Sequence, residues 1–302
     1  MGSIITRINC PLCGSTIIEK KLVCKDYTVS NEIFDIWECG DCTLRFTQDV
    51  PDRDSIGPYY QAESYISHTD SEKGLINKAY MLARNYTLNW KMKLVKDCVG
   101  SSLKESSLLD IGAGTGAFLH KASKAGWSVR GLEPDEGARK ICREKYGLDT
   151  EPPGKLFELP AQNFDAVTMW HVLEHVHQLH EYMQQIKRVL KPDGAALIAL
   201  PNYTSQDAKH YQQNWAAYDV PRHLYHFTPA AISNLVERHG MKMEAIKPMW
   251  LDAFYIAMLS EKYKNGKGNL GAAVLNGLKS DLKTFRNIAS CSSLVYIIRP
   301  KK

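Results

Sequence analysis

The chain has 302 residues, 44% of them hydrophobic and 10% aromatic, with a net charge of +5. That suffices to bury one full domain plus a small accessory one. No stretch approaches the roughly 20 apolar residues of a membrane span, and no apolar run follows the start as in a secretory signal, so a cytoplasmic enzyme is expected.

Five of the eight cysteines fall in the first 42 residues. Cys10-Pro11-Leu12-Cys13 and Cys39-Gly40-Asp41-Cys42 are two C-x-x-C turns separated by 25 residues, with strand-like runs at 16 to 24 and 33 to 38 between them. Two turns that each present a pair of thiolates match a tetrahedral zinc site, and a glycine beside each lets backbone N–H groups turn toward sulfur. Disulfides are the alternative, but a reducing compartment disfavours them. A redox pair is disfavoured too, because neither turn opens a helix after a strand. A zinc ribbon over residues 1 to 50 is therefore expected, with Cys10, Cys13, Cys39 and Cys42 as ligands and Cys24 a spare thiol. Four cysteines close the coordination sphere, so the zinc is structural.

Residues 51 to 100 read as a linker and helical lid: an aromatic segment with Tyr59, Tyr60, Tyr65 and His68, then a helix from 74 to 98. Simple packing of one domain on the other explains the aromatics as well as a role in a site does.

Leu108-Leu109-Asp110-Ile111-Gly112-Ala113-Gly114-Thr115-Gly116 reads as a buried strand running into a glycine turn and a helix. Gly112, Gly114 and Gly116 let the backbone approach a ligand, and the helix start offers unpaired N–H groups. Gly112, Gly114 and Ala117 also fit the loose dinucleotide pattern. Asp110, however, would set a carboxylate beside the pyrophosphate of NAD. S-adenosylmethionine has no phosphate there; it has an ammonium that donates to a carboxylate and a sulfonium that tolerates one, so Asp110 favours it. Glu133 ends the next strand, 21 residues after Gly112, where an acid accepts both ribose hydroxyls.

Strands are predicted at 107 to 111, 127 to 132, 164 to 169 and 195 to 200, alternating with helices at 116 to 125, 136 to 146 and 178 to 190. Single helices between strands imply a parallel, doubly wound sheet. The third strand is placed near 148 to 159, a segment broken by Pro152, Pro153 and Gly154. His171-Val172-Leu173-Glu174-His175 spells H-x-x-E-H, a zinc-protease pattern in which two histidines share a metal on one helix. A protease would need a third ligand and would leave the glycine turn unexplained. His177 and His180 are expected to face solvent.

The segment from 201 to 227 is long for a loop in a compact domain, and such loops tend to be functional. Its end, Trp215-Ala216-Ala217-Tyr218-Asp219-Val220-Pro221-Arg222-His223-Leu224-Tyr225-His226-Phe227, gathers acid, guanidinium, imidazoles and aromatics. Thr228 is the expected cap of a helix beginning at Pro229. A strand at 241 to 247, an apolar helix at 251 to 263, a flexible stretch at 264 to 269 and a final strand at 292 to 298 follow. Residues 262 to 302 carry nine basic residues against the single acid Asp281, which leaves −3 on the remainder. A basic flank suits an anionic acceptor or contact surface, and also suits a solvated tail.

The ordered set Leu108-Asp110-Gly112-Gly114-Gly116, Gly131-Leu132-Glu133-Pro134, Phe164-Asp165-Ala166-Val167 and Leu190-Lys191-Pro192-Asp193-Gly194 resembles the class I S-adenosylmethionine-dependent methyltransferases over about residues 105 to 250. The resemblance implies an α/β, doubly wound, seven-stranded Rossmann-like sheet over 101 to 302, behind a small N-terminal zinc ribbon and ahead of a basic C-terminal extension. It places cofactor across the first two strands, at Asp110, Gly112, Gly114, Gly116, Glu133 and Pro134, with Trp170 and His171 on the loop beside the transferred methyl. Adenine contacts would come from Leu156, Phe157 and Glu158. It also implies that the segment before the first strand folds over the site, so that Tyr59, Tyr60, Tyr65 and His68 meet the acceptor. Glu174 and His175 then anchor the loop. The string W-x-x-x-D-x-P-R-H-L-x-H-F-T occurs in a large branch of these enzymes.

Methyl transfer from a sulfonium needs in-line positioning of a nucleophile and, for a hydroxyl acceptor, a base such as an imidazole with pKa about 6.5. His223 is the expected base or acceptor ligand, oriented by Asp219, with His226 and His171 behind it; Trp215 and Arg222 would hold the acceptor. A hydrogen-bonded loop latch is the bland alternative for this group. The expected acceptor is a small molecule or glycan. RNA is the first alternative, although the ribbon has nearly balanced charge and lacks the histidine ligand of the rRNA enzymes that carry a zinc module. A non-catalytic scaffold that keeps the fold is the second. The sequence leaves the oligomeric state unknown.

Overall fold

A computed structural model describes residues 3–61, 75–100, 106–268 and 270–301. In chain order the elements are β1 (Ile4–Ile5), β2 (Ile18–Lys25), β3 (Ile33–Cys39), β4 (Arg45–Thr47), β5 (Val50–Pro51), α1 (Leu75–Val99), β6 (Ser107–Ile111), α2 (Ala117–Lys124), β7 (Ser128–Leu132), α3 (Glu136–Tyr146), β8 (Thr150–Glu151), β9 (Phe164–Trp170), α4 (Leu179–Val189), β10 (Leu190–Pro201), α5 (Gln206–Tyr211), β11 (Tyr225–His226), α6 (Pro229–Arg238), β12 (Met241–Pro248), α7 (Asp252–Asn265), α8 (Leu270–Arg286) and β13 (Ser293–Pro300), with short 3-10 turns between some of them.

Seven strands form one Rossmann-like sheet in the order β12-β13-β10-β9-β6-β7-β8, and of these β13 alone runs antiparallel to its neighbours. Period-two alternation sorts the side chains onto its two faces. Leu108 of β6 and Ala195, Leu197 and Ala199 of β10 pack with Met92 and Val95 of α1 and Phe118 of α2. Leu109, Ile111, Ala196, Ile198 and Leu200 pack with Met183 and Ile186 of α4 and Ile232 and Leu235 of α6. Apolar residues thus cover both faces, as a sheet sandwiched between helices requires. The helix starts agree with the sequence reading: Asp135 accepts from Ala138 N at 2.6 Å, and Thr228 Oγ1 accepts from Ala231 N at 2.9 Å with Pro229 in the first turn.

Four differences stand out. The third strand is only Thr150–Glu151, and Pro153–Glu158 makes a 3-10 turn, because two successive prolines donate no ladder hydrogen bonds. Residues 264 and 265 complete α7, and helix α8, absent from the sequence reading, packs on it so closely that a Cβ at Gly277 would lie 2.7 Å from the Phe254 ring. The ribbon gains two strands: its sheet runs β11-β4-β3-β2, with Tyr225 opposite Phe46 and His226 opposite Arg45. Its last strand thus comes from the long loop of the larger unit, and Cys10, Cys39, Cys42, Leu44 and Phe46 share one core with Leu224, Tyr225 and Phe227. Finally, His177 and His180 are half-buried, not solvated. His177 Nε2 lies 3.0 Å from the Pro51 carbonyl and His180 Nε2 3.1 Å from the Pro11 carbonyl, so both bridge to the ribbon.

Candidate active site

The carboxyl ends of β6, β7 and β9 meet at the glycine turn. Gly112 and Gly116 take φ of +76° and +82°, in the left-handed region that disfavours a side chain. A Cβ at Gly112 would lie 2.3 Å from Val172 Cγ2, and one at Gly116 2.1 Å from Cys142 Sγ. Gly112 is therefore where the loop after β9 closes over the turn, and Gly116 is where α2 approaches α3. Gly114 has no neighbour within 4 Å of its Cβ direction; its N–H instead donates to Glu133 Oε2 at 2.7 Å.

Two carboxylates flank this turn from beneath. Asp110 is 1% exposed and accepts from Thr168 Oγ1 at 2.6 Å. Burial pushes its pKa up to about 7, against the hydrogen bond from Thr168 and the charge of Lys91. Glu133 is buried at the end of β7, with Oε1 accepting from Asp135 N at 3.0 Å, and burial raises its pKa as well. Each Glu133 oxygen takes one backbone donor and keeps acceptor capacity for a ligand. Pro134 is exposed beside it, and its carbonyl accepts from Arg139 at 2.8 Å. The sequence did not mark Lys91. Its ammonium lies 4.4 Å from the centre of the Trp170 ring, and burial lowers its pKa to about 8. On a helix of weak amphipathicity such a lysine reads as solvated surface. Of the expected adenine contacts, Leu156 is buried in the core, Phe157 packs edge-on against Tyr182, and Glu158 is held by Lys155 at 2.6 Å.

On the other side of the turn His171 follows β9 with φ +59°, a rare conformation for its type and one that clusters at functional sites. Its Nδ1 lies 3.4 Å from Glu174 Oε1 and its Nε2 3.7 Å from Asp252 Oδ2. Burial disfavours the charged ring, but Asp252 and Glu174 outweigh it and raise the pKa.

The loop after β10 behaves differently from the sequence expectation. Arg222, expected to hold an acceptor, is 0% exposed and donates to Asp219 at 2.6 and 3.0 Å, to Asp26 of the ribbon at 2.9 Å and to the Tyr59 carbonyl at 2.9 Å. Asp219 therefore engages Arg222 instead of orienting His223, whose Nδ1 meets the Ala217 carbonyl at 2.8 Å. Trp215 is buried and donates its indole N–H to Asp207 at 2.7 Å, which removes it as a stacking platform. His226 is buried with Nε2 3.1 Å from Thr47 Oγ1 and a pKa well below the usual range because of burial. Tyr59 packs edge-on against Phe34 and donates to Glu32, while Tyr60 Oη lies 3.1 Å from His175 Nδ1. Tyr65 and His68 lie outside the described residues. A buried charge stripped of its partner costs about 3–5 kcal/mol. Arg222→Ala, which strands Asp26 and Asp219, should thus lower the melting temperature by on the order of 10 °C in calorimetry. An unchanged transition would mean that the ion pairs do not tie loop to ribbon.

The four ribbon cysteines converge. Their sulfurs lie within 4.8 Å of one another, with Cys10 to Cys42 and Cys13 to Cys39 each at 3.5 Å. A disulfide needs about 2.05 Å. A tetrahedron of roughly 2.3 Å Zn–S bonds has edges of about 3.8 Å, so the donor set and its spacing fit a tetrahedral ion. Cys24 stands apart, buried with Phe34 and Tyr211, and burial pushes its thiol up to about 12.

A family profile described as a methyltransferase domain matches residues 83–246, just over half of the chain. The mitochondrial ubiquinone biosynthesis O-methyltransferase of Homo sapiens is 27% identical over 171 residues, 51% of this chain and 46% of the relative. The demethylmenaquinone methyltransferase of Tropheryma whipplei (strain Twist) is 26% identical over 136 residues, 43% of this chain and 57% of the relative. The chain thus spans about half the length of the curated relatives it matches. Among solved structures, a putative sarcosine dimethylglycine methyltransferase from Galdieria sulphuraria aligns with a TM-score of 0.51 at 14% identity, over 81% of this chain and 91% of that one. A chain of the complex between the Haloferax volcanii Trm112 methyltransferase activator and a putative methyltransferase aligns with a TM-score of 0.52 at 15% identity, over 74% and 93%. At these identities the likeness concerns the fold.

Proposed function

The chain belongs to the methyltransferase domain family, and we propose that it moves a methyl group from S-adenosylmethionine to a hydroxyl of a small-molecule acceptor. The observation that carries this is the pair of buried carboxylates, Asp110 and Glu133, at adjacent strand ends beneath the glycine turn. An acid at Asp110 repels an anionic pyrophosphate and suits a cationic cofactor, while Glu133 suits the ribose of either. Glu133 accepts the ribose hydroxyls, and Asp110 faces the α-ammonium. The cofactor supplies a methyl on a sulfonium that carries its own leaving group. What the protein adds is position and proton removal. His171 offers the latter: its Nε2 is buried with no hydrogen-bond partner among the described residues, and Glu174 backs its Nδ1. The names of the two relatives support a small-molecule acceptor, and that of the ubiquinone biosynthesis O-methyltransferase supports methylation at oxygen; nothing in the described residues favours RNA or a glycan.

The direct test is transfer of labelled methyl into small-molecule extracts. His171→Ala should lower turnover by about 10²- to 10⁴-fold, the typical worth of a general base, with cofactor affinity retained. Unchanged turnover would remove His171 from the acceptor side.

The raised pKa of Asp110 gives a pH signature. Because its folded-state value lies near 7, above the 3.8 of the free group, its contribution to stability is present at low pH and lost as the pH rises through about 7. A bound cation offsets that loss by favouring the ionised form. Stabilisation by cofactor, read as a melting shift, should therefore be larger at about pH 8 than at about pH 6. Equal shifts would show that Asp110 does not face the ammonium.

The four-cysteine site fits structural zinc and would fasten the ribbon, and through β4 and β11 the long loop.

A further inference from the structure

The H-x-x-E-H segment does not form the helix on which two of its histidines would share a metal. His171 is in the left-handed region and only Leu173–His175 makes a turn, so the imidazole that joins Glu174 and His175 comes instead from the distant loop, as His223. One ligand atom from each of Glu174, His175 and His223 lies within 4.8 Å of the others.

Glu174 is 0% exposed, and neither carboxylate oxygen accepts a hydrogen bond among the described residues. A carboxylate left in that state costs several kcal/mol, which the fold can sustain only if a cation faces it. His171 Nδ1 stands 3.4 Å from Oε1 and leaves Oε2 without a neighbour of that kind. The two remaining imidazoles are prepared in the same way. His223 Nδ1 lies 2.8 Å from the Ala217 carbonyl and His175 Nδ1 3.0 Å from the Arg222 carbonyl. A carbonyl only accepts, so Nδ1 carries the proton in each ring and Nε2 keeps its lone pair; the Tyr60 hydroxyl, 3.1 Å from His175 Nδ1, then accepts a share of that proton. Metal-bound histidines typically have this outer hydrogen bond, which fixes both tautomer and orientation. Both carbonyls belong to the loop that Arg222 locks to Asp219 and Asp26.

We propose that Glu174, His175 and His223 bind a divalent transition-metal ion of the zinc class, at a site separate from the four cysteines. Two imidazoles and one carboxylate suit zinc, iron or nickel better than magnesium or calcium, which prefer oxygen donors. Three protein ligands leave a tetrahedral ion one open position, the pattern of a catalytic rather than a structural site. Under the methyl-transfer reading, and resting on it, that position takes the acceptor oxygen and His171 receives its proton; binding of the ion itself does not depend on that reading.

The test uses the full chain, loaded with zinc, freed of excess and analysed for metal, and in parallel loaded with cobalt(II) and read by absorption. Wild type should hold about one ion more per chain than His223→Gln, with the cobalt–thiolate absorption of the cysteine site equal in both. Glu174→Gln should likewise lack the additional ion and keep the cobalt–thiolate absorption. Equal metal content in wild type and both variants would overturn the proposal. Loss of the ion in the variants with no methyl transfer by wild type would keep the site and refute only its use.

Discussion

Glu133→Ala should weaken S-adenosylhomocysteine binding by roughly 10²- to 10⁴-fold, measured by titration calorimetry. Hydrogen bonds to a charged group contribute about 1.5–3 kcal/mol each, and the ribose hydroxyls would lose two. The loss has a second source, because Glu133 also accepts from Gly114 N and Asp135 N and so holds the turn that the cofactor rests on. Glu133→Gln separates the two: its amide oxygen still accepts from one backbone N–H and one ribose hydroxyl, and an intermediate loss is expected. Alanine binding as well as wild type would place the ribose elsewhere.

Cys39→Ser should abolish zinc binding at the ribbon and lower the melting temperature by on the order of 10 °C or more. A structural zinc contributes on the order of 10 kcal/mol to a small module, so the ribbon should not hold without it. The damage should spread, since β4 pairs with β11 and Thr47 Oγ1 donates to the His223 carbonyl at 2.6 Å. Methyl transfer should fall with the metal while the glycine turn, built at the end of β6, still binds cofactor. Zinc analysis and calorimetry on one sample decide this; a folded, metal-free Cys39→Ser protein with wild-type turnover would mean the ribbon is dispensable.

Legibility in the sequence followed locality. Residues 107–111 and 128–132 alternate or run apolar, and Asp135 and Thr228 precede their helices, so each element announces itself within a few positions. The cysteine pairs and the Asp110–Glu133 pair were legible because motif spacing encodes them. The long loop was not: Arg222 is 196 residues from Asp26, and nothing near either predicts the other. Its aromatics and charges looked like an acceptor surface because polar residues in a long loop normally meet solvent. Here the ribbon covers them, and burial converts them to packing and ion pairs. Lys91 was hidden for the converse reason, since only the fold brings it over Trp170. Helix α8 was missed because Gly271 and Gly277 weaken its propensity and its contacts with α7 make up for it.

Methyl transfer by this chain requires a cationic cofactor held between Asp110 and Glu133. Titration of the purified chain with S-adenosylmethionine tests it most directly. One site per chain is expected, with affinity lost in Glu133→Ala and NADH failing to compete. Displacement by NADH, or absence of binding at millimolar cofactor, would contradict it.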